Sequence, residues 1–162
     1  MPINRVVLNA SPLICLSKSE LSELLPALFK DILVPDNVKK EVTAKSAVDF
    51  GINTVLSRKW LKTIKNITIN PTVAAWDLGE GENAVLSYVY KNPDCWAIID
   101  DLQARRCAES LGCNFTGTVG IIVLAKRKGI IKSVRENLNK LQASGLWLSD
   151  TFMNDVCKLA GE

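Results

Sequence analysis

The sequence predicts an α/β fold in which a central, mostly parallel sheet of four or five strands is flanked by helices. Two observations predict it. Short apolar runs alternate along the chain with segments whose apolar residues recur at helical spacing. The run at residues 96–99 is apolar throughout, which is typical of a strand buried on both faces of a parallel sheet. Such an alternation favours right-handed crossovers and places sites beyond the carboxyl ends of the strands.

The first half of the chain has capping and turn signals between its apolar runs. Ser11 followed by Pro12 predicts a helix start, because serine is a favoured N-cap and proline a favoured first helical residue. Pro35 closes the second run, and Asp36 can cap the next helix. In order we expect a strand at 5–8, a helix from Ser11-Pro12, a helix at 20–29, a strand at 32–34, a helix at 36–44, a helix at 47–56, short strands at 60–64 and 67–69, and a loop at 70–81.

The second half shows clearer periodicity. Helical spacing begins at Glu82 and ends near the turn signal at Pro93, and Gly112 predicts the end of a later helix. In order we expect a helix from 82 to about 92, a strand at 96–99, a helix ended by Gly112, a short strand at 115–116, a helix from Gly117-Thr118 through Lys126, and two final helices around 134–141 and 152–159.

The composition is that of a soluble globular protein. The chain has 162 residues, 48% of them hydrophobic and 23% charged, which predicts one domain spanning residues 1–162. It contains no histidine, which excludes histidine-based catalysis and the usual zinc and non-haem iron ligand sets. The net charge of +3 is compatible with a polyanionic partner but does not identify one.

The cysteines and the hydropathy pattern predict a cytoplasmic protein. There are five cysteines, an odd number without Cys-x-x-Cys spacing, and we interpret them as reduced core thiols. No run approaches the length needed to span a membrane, and the first residues lack the pattern of a secretory signal. We therefore expect no membrane association.

Polar side chains are placed where a site is expected. Asn9 follows the first predicted strand, and Asp100-Asp101 follows a later one. Glu41 and Glu82 share helical faces with apolar residues, which points their carboxylates inward. Inward carboxylates need a positive partner, either lysine or a divalent cation, and oxygen ligands without histidine or thiolate favour Mg²⁺ or Mn²⁺.

Each acid also has a structural interpretation. Glu41 lies among lysines and is compatible with surface charge, and Glu82 with a first-turn acid that complements a helix dipole. For Asp101 we favour the N-cap of the next helix as its main role, whereas for Asp100 a site role is favoured over capping the sheet edge. An Asp-Asp pair also occurs in phosphoacceptor receiver-like domains, but there it follows the first strand.

Taken in order, these segments resemble the PIN-domain family, and particularly a prokaryotic subgroup of toxin-like PIN proteins. The resemblance covers nearly the whole chain and rests on several short motifs. They are VVLNASPLI at 6–14, VP at 34–35 leading through Val38 to EV at 41–42, LGEGENA at 78–84, IIDD at 98–101 leading through Ala104-Arg105 to Ala108, and GTVG at 117–120.

The resemblance implies a three-layer fold and a metal-dependent ribonuclease that acts on RNA with Mg²⁺ or Mn²⁺. Many prokaryotic members resemble toxin halves of toxin–antitoxin pairs, so an antitoxin protein and a homodimer are further expected partners. By motif, the implied catalytic residues are Glu41, Glu82 and Asp100. The implied metal ligands are Asn9, Glu41, Glu82, Asp100 and Asp101, with Ser11 and Thr118 as hydroxyls near the site.

Two features leave alternatives open. Asn9 stands where the family usually has aspartate; an amide oxygen can ligate a hard cation but brings no charge. A catalytically degenerate PIN-like module that binds RNA or a protein partner is therefore the alternative hypothesis. Basic residues are candidate RNA contacts, although some are equally compatible with solvated helix ends. These candidates are Arg105, Arg106, Lys126 and Lys128.

Overall fold

The five strands form one parallel sheet. The computed structural model describes residues 3–45 and 50–162. The sheet has the order β3-β2-β1-β4-β5, and every neighbouring pair is parallel. The predicted fold class is confirmed. The strands are β1 Arg5–Leu8, β2 Asp31–Pro35, β3 Leu61–Ile64, β4 Cys95–Ile98 and β5 Phe115–Thr116.

The central strand β1 and its neighbour β4 form the middle of the core. Val7 pairs in register with Ala97 and Leu8 with Ile98, and all four side chains are fully buried. Burial on both faces explains why these strands read as continuous apolar runs rather than as alternating ones. The carboxyl ends of β1 and β4 therefore lie side by side, about 4.8 Å apart.

Helices flank the sheet and connect its strands. In the described residues they are α1 Ala10–Lys18, α2 Leu24–Leu28, α3 Asp36–Lys45, α4 Phe50–Leu56, α5 Pro71–Ala74, α6 Glu80–Lys91, α7 Leu102–Ser110, α8 Thr118–Arg127, α9 Val134–Ala143 and α10 Asp150–Leu159. The positive φ of 69° at Gly112 stops the chain from continuing α7, as predicted. None of the helices in the described part of the chain is long and apolar enough to cross a membrane.

Three predicted elements differ in the first part of the chain. Asn9 rather than Ser11 occupies the N-cap position of the first helix, without a side-chain capping bond, because the chain turns directly from the end of β1 into α1. The helix predicted at 20–29 is reduced to α2, since Glu20 has a φ of 60° that a continuous helix does not accommodate. The predicted strand at 67–69 is wrong: Asn66, with a φ of 57°, turns the chain away from the sheet after β3.

Two further predictions are modified. The loop predicted at 70–81 contains the short helix α5, which the side chain of Asn70 caps by accepting from the amide of Thr72. The helix predicted at 47–56 is present as α4, whereas residues 47–49 of that prediction lie outside the described residues. All five cysteines are free and four of them are buried, as expected of core thiols, whereas their reduced state in the cell stays a prediction.

Candidate functional site

The candidate site lies at the carboxyl ends of the neighbouring strands β1 and β4. Asn9 directly follows β1, and its backbone amide donates to the carbonyl of Ile98, the last residue of β4, at 3.1 Å. Asp100 comes two residues after Ile98. Neighbouring strands thus carry both polar side chains to one edge of the sheet, as the sequence predicts.

Asn9 is held by Glu82, the third residue of α6. Its Nδ2 donates to Oε1 of Glu82 at 2.9 Å, and the Asn9 residue is only 2% exposed. A carboxylate accepts but does not donate, so this bond fixes which end of the amide faces Glu82. Asn9 Oδ1 therefore points elsewhere, and it is buried without a hydrogen-bond partner within the described part of the chain. Buried acceptors in folded proteins usually have a partner, so this atom needs a water, an ion or a ligand, a need that Asn37 Oδ1 and Asn83 Oδ1 share in the described residues.

The helix that carries Glu41 is anchored against the start of α6. Asn37 Nδ2 donates to the carbonyl of Glu80 at 2.9 Å, and Glu41 lies one turn further along the same face of α3. A Cβ on Gly81 would lie 2.9 Å from Asn9 Oδ1 and 3.2 Å from Oε2 of Glu41. Glycine at this position leaves the space between α3 and α6 to those two oxygens.

Glu41 divides its two oxygens between solvent and site. Oε1 accepts from Lys45 Nζ at 3.0 Å, one turn along α3, so the surface-charge interpretation is correct for this oxygen. Oε2 faces Gly81, and the distances to the glycine Cβ position put it within about 6 Å of Asn9 Oδ1. Two acceptors thus face one small space beside Gly81.

Asp100 is held by the first residue of α8. Its Oδ1 accepts from the amide of Thr118 at 2.8 Å, and its Oδ2 accepts from the Thr118 hydroxyl at 2.5 Å. Gly117, the N-cap of α8, has no side chain with which to cap that helix, so the carboxylate from β4 takes this role. A Cβ on Gly117 would lie only 2.8 Å from Asp100 Oδ1.

The remaining predicted site residues, Asp101, Ser11 and Thr118, differ in their contacts and exposure. Asp101 caps α7, its side chain accepting from the amide of Ala104 at 2.9 Å, so the N-cap interpretation is confirmed. Ser11 is exposed in the first turn of α1, whereas Thr118 is fully buried against Asp100. The metal-ligand role of Asp101 stays a prediction.

The four basic residues predicted to contact RNA are not equivalent. The Arg105 guanidinium packs over the ring of Phe115 at 5.2 Å, and its Nη1 is 3.7 Å from the Cβ position of Gly117, beside Asp100. Arg106 is exposed on the same helix. Lys126 and Lys128 lie at the other end of α8, about 12 Å or more along the helix from Thr118. Lys126 there donates to the carbonyl of Lys132, which matches the helix-end interpretation.

The donor set fits a hard divalent cation, with one difference from the predicted arrangement. Within residues 3–45 and 50–162, no three acidic or thiol side chains come close enough to hold a metal ion, so Glu41, Glu82 and Asp100 do not form one compact group. The amide oxygen of Asn9 shares the space beside Gly81 with Oε2 of Glu41, while its amide nitrogen bonds Glu82. Amide and carboxylate oxygens of this kind are ligands that Mg²⁺ or Mn²⁺ accepts.

Sequence reasoning missed the residues that shape this space. Gly81 and Gly117 provide the close approach of backbone to the acids, and Asn37 anchors α3 against α6. Both glycines lie in motifs that carry the resemblance, at 78–84 and 117–120, but no local pattern indicates that each faces an acidic side chain. Nothing in the sequence distinguishes Asn37 from an ordinary polar residue in the first turn of a helix.

The fold and its oxygens define an α/β protein with a polar, largely acidic site at the carboxyl edge of a parallel sheet. A family model described as DUF3368: PIN domain matches residues 5–162. The chain belongs to the PIN-domain family. PIN domains are generally nucleases and usually use divalent metal ions, so this chain is a nuclease-like module. A comparison with curated proteins gives no match.

Proposed function

We propose that this protein is a metal-dependent ribonuclease that hydrolyses RNA phosphodiesters with a metal-activated water. One observation carries the proposal beyond family membership. The buried Oδ1 of Asn9 has no partner in the described part of the chain, and it faces the same space beside Gly81 as Oε2 of Glu41. Two neighbouring acceptors with no donor between them are stabilised by a cation.

Asn9, Glu41 and Glu82 would hold the ion, with Asp100 at the adjacent strand end. Bound Mg²⁺ or Mn²⁺ supplies Lewis acidity, which makes water more acidic and stabilises charge on the leaving oxygen. Glu82 is oriented by Asn9 through the 2.9 Å bond, and Asp100 by two bonds from Thr118. Each carboxylate oxygen keeps a free lone pair for substrate, solvent or a cation.

Arg105 supplies positive charge on the Asp100 side of the site. Its guanidinium lies over the Phe115 ring, an attractive contact that favours this orientation. A guanidinium in this position binds a phosphate through paired N–H groups and orients the RNA backbone toward the acids.

The proposal is tested by incubating purified protein with single-stranded and structured RNA in Mn²⁺ or EDTA. We expect cleavage in Mn²⁺ only, and its loss in Glu82→Gln and Asp100→Asn. Glu109→Gln is the matched control, since Glu109 is an exposed acid on α7 away from the site. Cleavage that persists in EDTA, or no cleavage by the wild type in Mn²⁺, contradicts the proposal.

Asn9 favours a second candidate function, a non-catalytic module that binds RNA or a partner protein. Its Nδ2 already donates to Glu82, so that carboxylate has a partner without any metal. Calorimetric titration with Mn²⁺ separates the two functions. Saturable binding that Glu41→Gln abolishes supports the nuclease, whereas no binding at millimolar Mn²⁺ supports the degenerate module.

The toxin role, the antitoxin partner, the homodimer and the cytoplasmic location stay predictions that follow from the resemblance. A toxin requires an inhibitor. In toxin–antitoxin pairs, the inhibitor is encoded beside the toxin gene. Co-expression with the product of the adjacent gene tests this role: relief of growth inhibition supports it, and a harmless chain expressed alone contradicts it.

A further inference from the structure

A basic groove lies between α3 and β3, outside the site described above. Its volume is about 780 Å³. Three lysines line it, and we call it the lysine groove. It is lined by Lys39, Lys40 and Lys65, together with Asp36, Thr43, Ala44 and Thr63.

The groove opens at the same edge of the sheet as the site. Lys65 directly follows Ile64, which pairs in register with Pro35 at the carboxyl end of β2. Lys39 and Lys40 lie on α3, the helix that also carries Glu41. The groove and the candidate site are therefore on two faces of one helix, at one end of the sheet.

Within residues 3–45 and 50–162, the three lysines of the groove, Lys39, Lys40 and Lys65, have no acidic partner. Lys45 and Lys62 nearby are paired instead, with Glu41 and Asp31 at 3.0 Å each. Cations that stay unpaired around one concavity attract an anion.

The remaining polar groups of the groove add to this preference. Asp36 is the one carboxylate in the lining, so the lysines outnumber it three to one. The Thr43 hydroxyl donates to the carbonyl of Lys39 at 2.8 Å, while Thr63 is exposed and can donate to a ligand. The groove offers many donors and few acceptors, which fits phosphate oxygens rather than bases.

We propose that the lysine groove binds the sugar–phosphate backbone of single-stranded RNA and leads it to the candidate site. This inference rests on the proposed function, which assigns a phosphodiester to that edge of the sheet. Lysine ammonium groups contact phosphates as point charges without a fixed geometry, so binding here is independent of base sequence. It also places the RNA path on α3, rather than at the far end of α8 where Lys126 and Lys128 lie.

The test measures binding of a short fluorescently labelled single-stranded RNA by anisotropy, in EDTA so that no metal-dependent cleavage occurs. The groove variant is Lys39→Gln/Lys40→Gln/Lys65→Gln. Its matched control is Arg127→Gln/Lys140→Gln/Lys158→Gln, which removes the same charge from exposed positions away from the groove. Thermal melts check that each variant is folded. If the triple variant does not fold, the single variant Lys40→Gln, at an exposed position, replaces it.

We expect the groove variant to bind RNA at least tenfold more weakly at low salt. For single strands each phosphate contact contributes about 0.7 to the slope of log K against log salt, so three lost contacts reduce the slope by about 2. The control should keep most of the wild-type slope. Equal losses in both variants, or none in the groove variant, overturn the inference.

Two other outcomes separate this inference from the proposed function. If the wild type never cleaves RNA but the groove variant alone loses binding, the proposed function fails and the groove assignment stands. If the wild type cleaves and the groove variant binds and cleaves like it, only the groove assignment fails. A poly-glutamate peptide serves as a second ligand. If the groove variant loses binding to this peptide but keeps binding to RNA, the groove assignment is overturned in favour of an acidic protein partner.

Discussion

Thr118 donates both its amide and its hydroxyl to the carboxylate of Asp100, at 2.8 and 2.5 Å. The two residues are 18 positions apart in the chain, and their bonds tie the end of β4 to the start of α8. Thr118 is fully buried, whereas Asp100 is partly exposed at the site.

Thr118→Val keeps the shape of the side chain but removes the hydroxyl donor. A hydrogen bond to a charged group contributes about 1.5–3 kcal/mol, so we expect the free energy of unfolding to fall by about that amount. Cleavage should fall as well, because Asp100 loses one of its two fixed contacts. Urea unfolding and the RNA assay measure both effects. Thr118→Ser should recover most of each, whereas Thr151→Val, at an exposed position on α10, should change neither.

Asn9→Asp replaces the amide donor that holds Glu82 with a second carboxylate. Without divalent metal we expect a lower melting temperature than the wild type, because an attractive contact at 2.9 Å becomes a repulsive one. With Mn²⁺ we expect a larger upward shift than in the wild type, since a third acid strengthens a hard-cation site. Differential scanning fluorimetry with and without Mn²⁺ measures both shifts. The control Asn114→Asp makes the same change at an exposed position. If Mn²⁺ raised the melting temperature of Asn9→Asp and of the wild type equally, the metal site would be contradicted.

Gly81→Ala fills the space that Asn9 and Glu41 share. The new methyl group would stand 2.9 Å from Asn9 Oδ1 and 3.2 Å from Oε2 of Glu41, closer than ordinary contact. We expect Mn²⁺ binding measured by calorimetry to weaken at least tenfold. Alanine is favoured over glycine within a helix by roughly 0.5–1 kcal/mol, which offsets part of the steric cost, so the protein should stay folded. Glu80→Ala, one residue earlier and exposed, should leave Mn²⁺ affinity unchanged; tight binding by Gly81→Ala would show that the ion lies elsewhere.

An ion-pair network at the amino ends of the strands, opposite the candidate site, predicts a loss of stability in acid. A hydrogen bond from Arg5 lowers the pKa of Asp94, and one from Lys62 lowers the pKa of Asp31. A carboxylate whose pKa is lowered on folding stabilises the fold above its unfolded pKa, and this contribution is lost as pH falls through the lower, folded value. The loss should begin below about pH 4.

Urea unfolding between pH 7 and pH 2.5 measures this contribution. We expect Asp31→Asn/Asp94→Asn to be less stable than the wild type at pH 7, and the two proteins to converge at the acid end. The effect should be small and should shrink in high salt, since these pairs are partly exposed to solvent. A difference that stays constant across the pH range would mean that the substitutions act through packing rather than charge.

The thiols should react in order of burial. Burial raises the pKa of Cys95 to about 12 and also raises the pKa of Cys113, which is only partly buried. Because the thiolate is the reactive form, we expect iodoacetamide at pH 8 to label Cys113 first and Cys95 only after unfolding. Peptide mass spectrometry over a time course measures the order. Equal rates at the two cysteines in the native protein would contradict the buried position of β4.

The fold was predictable where the chain's local signals agree with its tertiary packing. The strands β1 and β4 follow from continuous apolar runs, and α7 ends at Gly112 as its chemistry requires. The strand predicted at 67–69 failed because two isoleucines at alternating positions are compatible with a strand only if a neighbouring strand is there to pair with. A left-handed residue at Asn66 directs the chain away from that neighbour, and no local pattern reveals it.

The site was predictable only as a set of residue types at strand and helix ends. That Asn9 would bond Glu82 and Asp100 would bond Thr118 depends on contacts 73 and 18 residues apart, which periodicity does not encode. Ser11 was wrong as a helix cap for the same reason, since the tight exit from β1 makes Asn9 the first residue of the turn. Whether the predicted acids share one metal ion stays a prediction.

The outermost position of β3 has a consequence for how the protein behaves at high concentration. In the described sheet β3 pairs only with β2, which makes it an edge strand. Lysines at Lys62 and Lys65 surround this open edge, and charges of one sign discourage two such edges from joining. Removing these lysines would favour pairing of β3 strands between two molecules. A variant that neutralises Lys65 should therefore show more self-association by light scattering.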